Sequence, residues 1–157
     1  MRAVVRGLAR VLNSHAGGRG RQQVGAGVAV LNGQGEVLLM RRGDNGRWDL
    51  PGGGVNPGEE VEAAARRELR EETGLEVGPL TLLGVFGGPP HRYTYPDGNV
   101  VEWVTVLYTA PHGGGEPGAG DDAAEVRWWP LAALPAGVSA ATRAYFAALG
   151  KQVGEGA

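Results

Sequence analysis

Residues 66–74, RRELREETG, constrain this chain more than any other stretch of it: six of the first seven positions are charged and surround the lone Leu69. With no glycine or proline before position 74, the run reads as a helix. Placing residues 100° apart with Glu68 at zero puts Glu72 at about 40° and Glu71 at about 300°. The three carboxylates therefore share one face. Val61, Ala64, Ala65 and Leu69 fall on the same side, whereas Arg66 and Arg70 point away, so the acids look toward the protein body or into a cleft. The ordinary reading of such a run is a solvated face laced with i,i+4 pairs, and Arg67 with Glu71 fits one. Against it, Glu68 and Glu72 are like charges at i,i+4, costing about 0.2–0.5 kcal/mol, and negative charge in the last turns opposes the helix dipole. A divalent cation among the three side chains reverses these penalties. Oxygen ligands on a rigid element suit Mg²⁺ or Mn²⁺, which also bind substrate phosphates; zinc is disfavoured without cysteine or clustered histidine.

The loop before this helix supports that reading. LPGGG, residues 50–54, lacks the side chains that would keep backbone groups from a ligand, and Pro51 stiffens its entry. NPGEE then starts the helix, with Asn56 expected near the cap and acids in the first turn. Loop and carboxylates together make a phosphate-plus-metal site.

The rest of the chain is consistent with one domain of 157 residues. Its net charge of −2 identifies no polyanionic partner, so neither nucleic acid nor a membrane surface is expected. It has no cysteine, which fits a reducing compartment and makes a cytoplasmic location the default. Arg6 and Arg10 interrupt the N-terminal apolar residues, and nothing approaches a membrane span. Val4, Val5, Leu8, Val11 and Leu12 predict a short amphipathic helix; with a flexible link it occupies residues 1–22, ahead of a domain over 23–150 and a flexible tail over 151–157. VGAGVAVL and EVLLMRR predict a hairpin across a glycine turn. LTLLGVF, VVEWVTVLYTA and VRWWPL predict strands, and SAATRAYFAAL a last helix. Residues 111–125 predict a long flexible loop, whose glycine-rich stretch 113–120 reads equally as a lid over the site or as a low-complexity linker. Strands outnumber helices without regular βαβ alternation, so the fold class is α+β, a mixed sheet carrying a few helices.

Read from Gly53, the chain has glycine, five residues, Glu59, seven residues, Arg67-Glu68-Leu69, one residue, Glu71-Glu72, one residue, then Gly74-Leu75. This resembles the Nudix box at every defining position, a match expected by chance on the order of 1 in 10⁷ chains of this length. The resemblance extends from about Val24 to Leu134 and takes in LLMRR, W-x-LPGG and VRWWPL. The turn YPDG and the N-terminal helix resemble a bacterial subgroup associated with ADP-ribose and related nucleotides.

The resemblance implies an α/β/α sandwich around a mixed sheet and Mg²⁺-dependent hydrolysis of a nucleoside diphosphate linked to another group. ADP-ribose or a nucleotide sugar is the favoured small nucleotide substrate, and a nucleoside triphosphate is next. A nucleotide sensor that does not cleave its ligand is the alternative. Glu68, Glu71, Glu72 and the carbonyl of Gly52 would hold the metal, Arg67 would brace the acids, Glu59 would add an outer contact, and Gly53 would border the substrate. Glu71 is favoured as general base, with Asp122 and Glu125 as alternatives. Arg42 is the candidate phosphate contact, weighed equally against a strand-edge charge. Trp48 and Tyr95, with Phe86, Tyr93 and Trp103, are the aromatic residues available to stack on a base, although most aromatics of this kind fill cores. His91 reads as an incidental loop histidine, with ligand contact as its alternative. The N-terminal helix is expected to dock on its own domain or a neighbour, and the resemblance favours a homodimer.

Overall fold

The computed structural model describes residues 20–120 and 122–155. Most of the expected N-terminal helix and link therefore lies outside the described residues, and the first strand, β1 (Arg21–Leu31), opens the fold. After it come β2 (Glu36–Arg42), β3 (Trp48–Asp49), β4 (Gly52–Gly54), α1 (Val61–Thr73) and β5 (Thr81–Phe86). A 3₁₀ turn (Pro89–His91) leads to β6 (Arg92–Thr94), β7 (Val100–Pro111), β8 (Ala123–Pro130) and α2 (Ala140–Glu155). One sheet runs in the order β3-β2-β1-β7-β5, with β4 paired to β1, β6 to β7 and β8 to β2. β1 lies parallel to β7 along its whole length, and the other pairs are antiparallel. The expected mixed sheet is present.

β1 is apolar and small because both its faces are covered. Ala26, Val28 and Val30 pack beneath Ala64, Ala65 and Leu69 of α1. Ala29, with Val37, Leu39 and Leu107, packs against Tyr145, Phe146 and Leu149 of α2. The two helices thus sandwich the sheet. At its start β1 also touches β4 closely: a Cβ on Gly27 would lie 2.7 Å from the Pro51 carbonyl oxygen, and one on Gly52 2.8 Å from that of Ala26. Only glycine backbones approach so near, and this approach presses the LPGGG segment onto the sheet.

α1 begins at Val61 rather than beside Asn56. Asn56 precedes Pro57, which disfavours helical backbone there. It sits instead in a turn in which its N–H donates to Glu59 Oε1 (3.1 Å) and its carbonyl accepts from the Glu59 N–H (3.0 Å). The helix ends as expected at Gly74, which adopts φ 73° and donates its N–H to the Arg70 carbonyl. α2 continues to Glu155, through residues from 151 onward that the sequence assigns to a tail; no proline follows Gly150 to stop it.

The loop expected to be flexible is tied down. Gly118 and Gly120 donate their N–H groups to the Thr73 and Glu72 carbonyls, both at 2.9 Å, and the His112 N–H donates to the Leu31 carbonyl at 2.7 Å. The loop supplies partners that the last carbonyls of α1 lack within the helix. This binds it to the end of the helix that carries the acids.

Candidate metal and phosphate site

Leu69, 1% exposed, anchors α1 on the sheet and turns Glu68 and Glu72, on either side of it along the helix, toward the protein. They arrive where β1 changes partner, from β2 at Leu31 to β4 at residues 25–27. Here a cleft of about 460 Å³ opens, bordered by residues 25–27, Pro51, Gly52, Gly53 and Glu72.

Arg67 is the hub of the acidic group. Its Nε and Nη2 donate to the two Glu59 oxygens at 2.8 and 3.0 Å, and its Nη1 donates to Glu68 Oε1 at 2.9 Å and Glu71 Oε2 at 3.2 Å. Nη2 also donates to the Gly54 carbonyl at 3.0 Å, joining helix to loop. These are charge-assisted bonds in a fixed fork, which a lysine cannot reproduce. Arg67 holds the Glu59 carboxyl down to about 2. The i,i+4 pair of Arg67 with Glu71 read from the sequence is therefore real, but as one arm of this network.

Glu72 has a different partner: its Oε2 accepts the Gly52 N–H at 2.8 Å. At 7% exposure its burial pushes the carboxyl up to about 9, with the neighbouring Glu68 charge adding to the effect and the Gly52 bond opposing it. Burial also raises Glu68, against the pull of Arg67. Asp122 contributes to both shifts, because the tied loop and a bond from the Gly43 N–H to the Asp122 carbonyl bring its charge to this end of the helix. Gly53 leaves room for Glu68: a Cβ there would lie 2.5 Å from the Glu68 carboxylate carbon.

Among the described residues no three acidic or histidine side chains converge on one point. Glu68 and Glu71 meet through Arg67, and Glu72 faces the loop. The donors are nevertheless all oxygens, gathered on one helix against a side-chain-free loop, with negative charge concentrated beyond what Arg67 neutralises. That set fits a hard divalent cation, reached by rotating Glu68 and Glu71 off the guanidinium.

The other sequence candidates divide. Arg42 and Tyr95 border the cleft. Arg42 is held by Asp44 through Nε and Nη2 at 2.9 and 2.8 Å and lies 5.9 Å over the Tyr93 ring, which itself meets Tyr95 edge-on at 4.7 Å. Trp103 also borders the cleft. Trp48 does not stack there; it is a core residue, 8% exposed and edge-on to Trp129 at 5.3 Å. Neighbouring strand residues point to opposite sides, and on β3 it is Asp49 that meets the cleft. Glu125 is likewise taken up, by Arg41 across the β2–β8 pair at 3.3 Å, and does not border the cleft. Sequence reasoning missed Arg47, Arg92, Thr142 and Tyr145 on the cleft wall. It also missed Asp49, which accepts from the Thr142 hydroxyl at 2.8 Å; its place inside W-x-LPGG was the available signal. His91 is not a loose loop histidine but a buried one, 5% exposed.

The family description NUDIX domain matches residues 21–149. The chain belongs to the Nudix family. Among its Nudix relatives, an ADP-ribose pyrophosphatase of Methanocaldococcus jannaschii is 40% identical over 109 residues, covering 68% of this chain and 61% of that protein. The 8-oxo-dGDP phosphatase NUDT18 of Mus musculus is 31% identical over 115 residues, 69% of this chain and 32% of that protein. The chain thus spans less than two thirds of either relative. The crystal structure of a MutT Nudix hydrolase from Burkholderia pseudomallei superposes with a TM-score of 0.70 at 32% identity, covering 82% of this chain and 98% of that one. Among the described residues no helix is long and apolar enough to cross a membrane.

Proposed function

We propose that this Nudix protein hydrolyses the pyrophosphate bond of a nucleoside diphosphate linked to a second group, with ADP-ribose or a nucleotide sugar as substrate and Mg²⁺, or Mn²⁺ in its place, as the assisting cation. The observation that carries the reading is Glu72: a buried carboxylate bonded to Gly52 of the glycine loop, beside Glu68, on the border of a cleft large enough for a nucleotide. Similarity to the archaeal ADP-ribose pyrophosphatase supports the substrate class, with a nucleoside triphosphate next.

Glu68, Glu71, Glu72 and the Gly52 carbonyl would hold the cation. When bound, it would screen the pyrophosphate charge and lower the pKa of a water molecule. Arg67 keeps the carboxylates in register while they exchange partners, and Glu59 fixes Arg67 from behind. Glu71 is the most exposed of the three acids, with 49% of its side chain accessible, and would accept a proton from the attacking water once it leaves Arg67 Nη1. Glu125 is tied to Arg41, which leaves Asp122 as the alternative base. Arg42 borders the cleft where a phosphate would enter, braced by Asp44. Tyr93, Tyr95 and Trp103 offer flat surfaces to a base.

The test is turnover of nucleotide sugars, triphosphates and dinucleoside polyphosphates in Mg²⁺, with products identified. Selective cleavage that falls about 10²–10⁴-fold in Glu71→Gln supports the reading. Equal, negligible turnover by both proteins would replace it with a ligand-binding role.

A further inference from the structure

His91 closes the 3₁₀ turn Pro89–His91 and borders the cleft, yet no role in hydrolysis accounts for it. It is 5% exposed and packs against the rings of Phe86 and Tyr145, with centroids at 6.2 and 5.5 Å. Its Nδ1 is wholly shielded and has no hydrogen-bond partner. With Nδ1 shielded and His91 on the cleft border, Nε2 is the ring nitrogen that remains to meet a ligand. A shielded N–H without an acceptor is costlier than a shielded bare nitrogen, so the proton belongs on Nε2 and makes it a donor toward the cleft. Burial also disfavours the imidazolium, so near neutral pH this donor carries no charge.

His91 packs on Tyr145, and Thr105 and Trp103 border the same cleft; Arg92, next along the chain, borders it too but is paired with Glu102 at 3.8 Å. A phosphate there would call for a cation, and the glycine loop and acids lie at the Glu72 border. An uncharged donor among rings suits an uncharged acceptor on a flat heterocycle.

We propose that His91 is a specificity-determining residue, donating from Nε2 to a ring nitrogen or carbonyl of the nucleobase. The inference rests on the cleft binding a nucleotide. It also gives the cleft two ends of different chemistry: acids and glycine backbone for the phosphates, and a neutral donor set in aromatic surface for the base.

The test is equilibrium binding of AMP, GMP, CMP, UMP and base-free ribose 5-phosphate, measured calorimetrically in Mg²⁺. The proteins are the wild type, His91→Phe, which keeps a ring against Phe86 and Tyr145, and His91→Gln, whose amide nitrogen reaches the Nε2 position. His91→Leu replaces the phenylalanine variant if that one does not fold. The expected result is that the wild type binds at least one nucleotide more tightly than ribose 5-phosphate. His91→Phe weakens that nucleotide about 10-fold, leaves ribose 5-phosphate unchanged, and His91→Gln recovers most of the loss. Unchanged nucleotide affinity in His91→Phe overturns the role of His91 while nucleotide binding stands. Equal weakening of ribose 5-phosphate and nucleotides makes His91 a packing residue and overturns it too. A wild type that binds none of the five overturns the nucleotide reading and this inference with it.

Discussion

Replacing Glu72 by glutamine should make the metal-free protein more stable at alkaline pH, against the usual result for a buried polar residue. The Glu72 carboxyl is 7% exposed and is pushed from its ordinary 4.5 to about 9, chiefly by burial. Between those two values the folded protein keeps a proton that the unfolded chain has released. Stability is therefore highest below the unfolded value and is lost as pH rises toward the folded one. A single site of this kind changes stability by at most about 1.4 kcal/mol per pH unit, so a rise from about pH 6 to about pH 8 costs about 2.7 kcal/mol. In Glu72→Gln the amide oxygen still accepts the Gly52 N–H, but nothing titrates. Urea unfolding of both proteins in chelator, across this range, isolates the effect, because groups common to both cancel in the difference. The variant should match the wild type near pH 5 and exceed it progressively above. Mg²⁺ added at alkaline pH should restore the wild type, by about 2.7 kcal/mol at a hundred times its dissociation constant, and leave the variant unmoved. A wild-type-minus-variant difference that stays flat with pH would refute the account of Glu72 as a carboxylate buried at a cost.

Two further outcomes follow from the packing. Gly53→Ala places a Cβ 2.5 Å from the Glu68 carboxylate, whose flexible end must swing away. Turnover should drop about 10²-fold while urea stability moves by less than about 1 kcal/mol, and unchanged turnover would show that Glu68 needs no fixed place. Trp48→Ala should cost about 3–5 kcal/mol of stability without altering substrate KM in the folded fraction; a raised KM with intact stability would return Trp48 to the cleft.

Local chemistry wrote much of this protein into its sequence. The spacing of Glu68, Glu71 and Glu72 on a helix determines that they share a face, because helical geometry is the same in every fold. Gly74 ends α1 because φ 73° suits glycine, and short runs of apolar and β-branched residues mark β2, β5 and β7 within a residue or so. The carboxylates, Arg67 and the glycine loop were thus legible before any tertiary contact was known.

What the sequence could not decide was which partner each group meets across the fold. Trp48 and Tyr95 are both aromatic residues near turns, and only the packing of β3 against Trp129 sends one to the core while the other borders the cleft. Asp122 and Glu125 lie three positions apart, yet strand pairing gives Glu125 to Arg41 while the tied loop turns the charge of Asp122 on the acids. The glycine-rich loop looked free because its composition is flexible, but its Gly118 and Gly120 N–H groups donate to the Thr73 and Glu72 carbonyls at the end of α1, far away in sequence. Burial is a property of the assembled molecule. It is the chief cause that raises Glu72 and it disfavours the charged form of His91, since both effects depend on solvent excluded by residues distant in the chain.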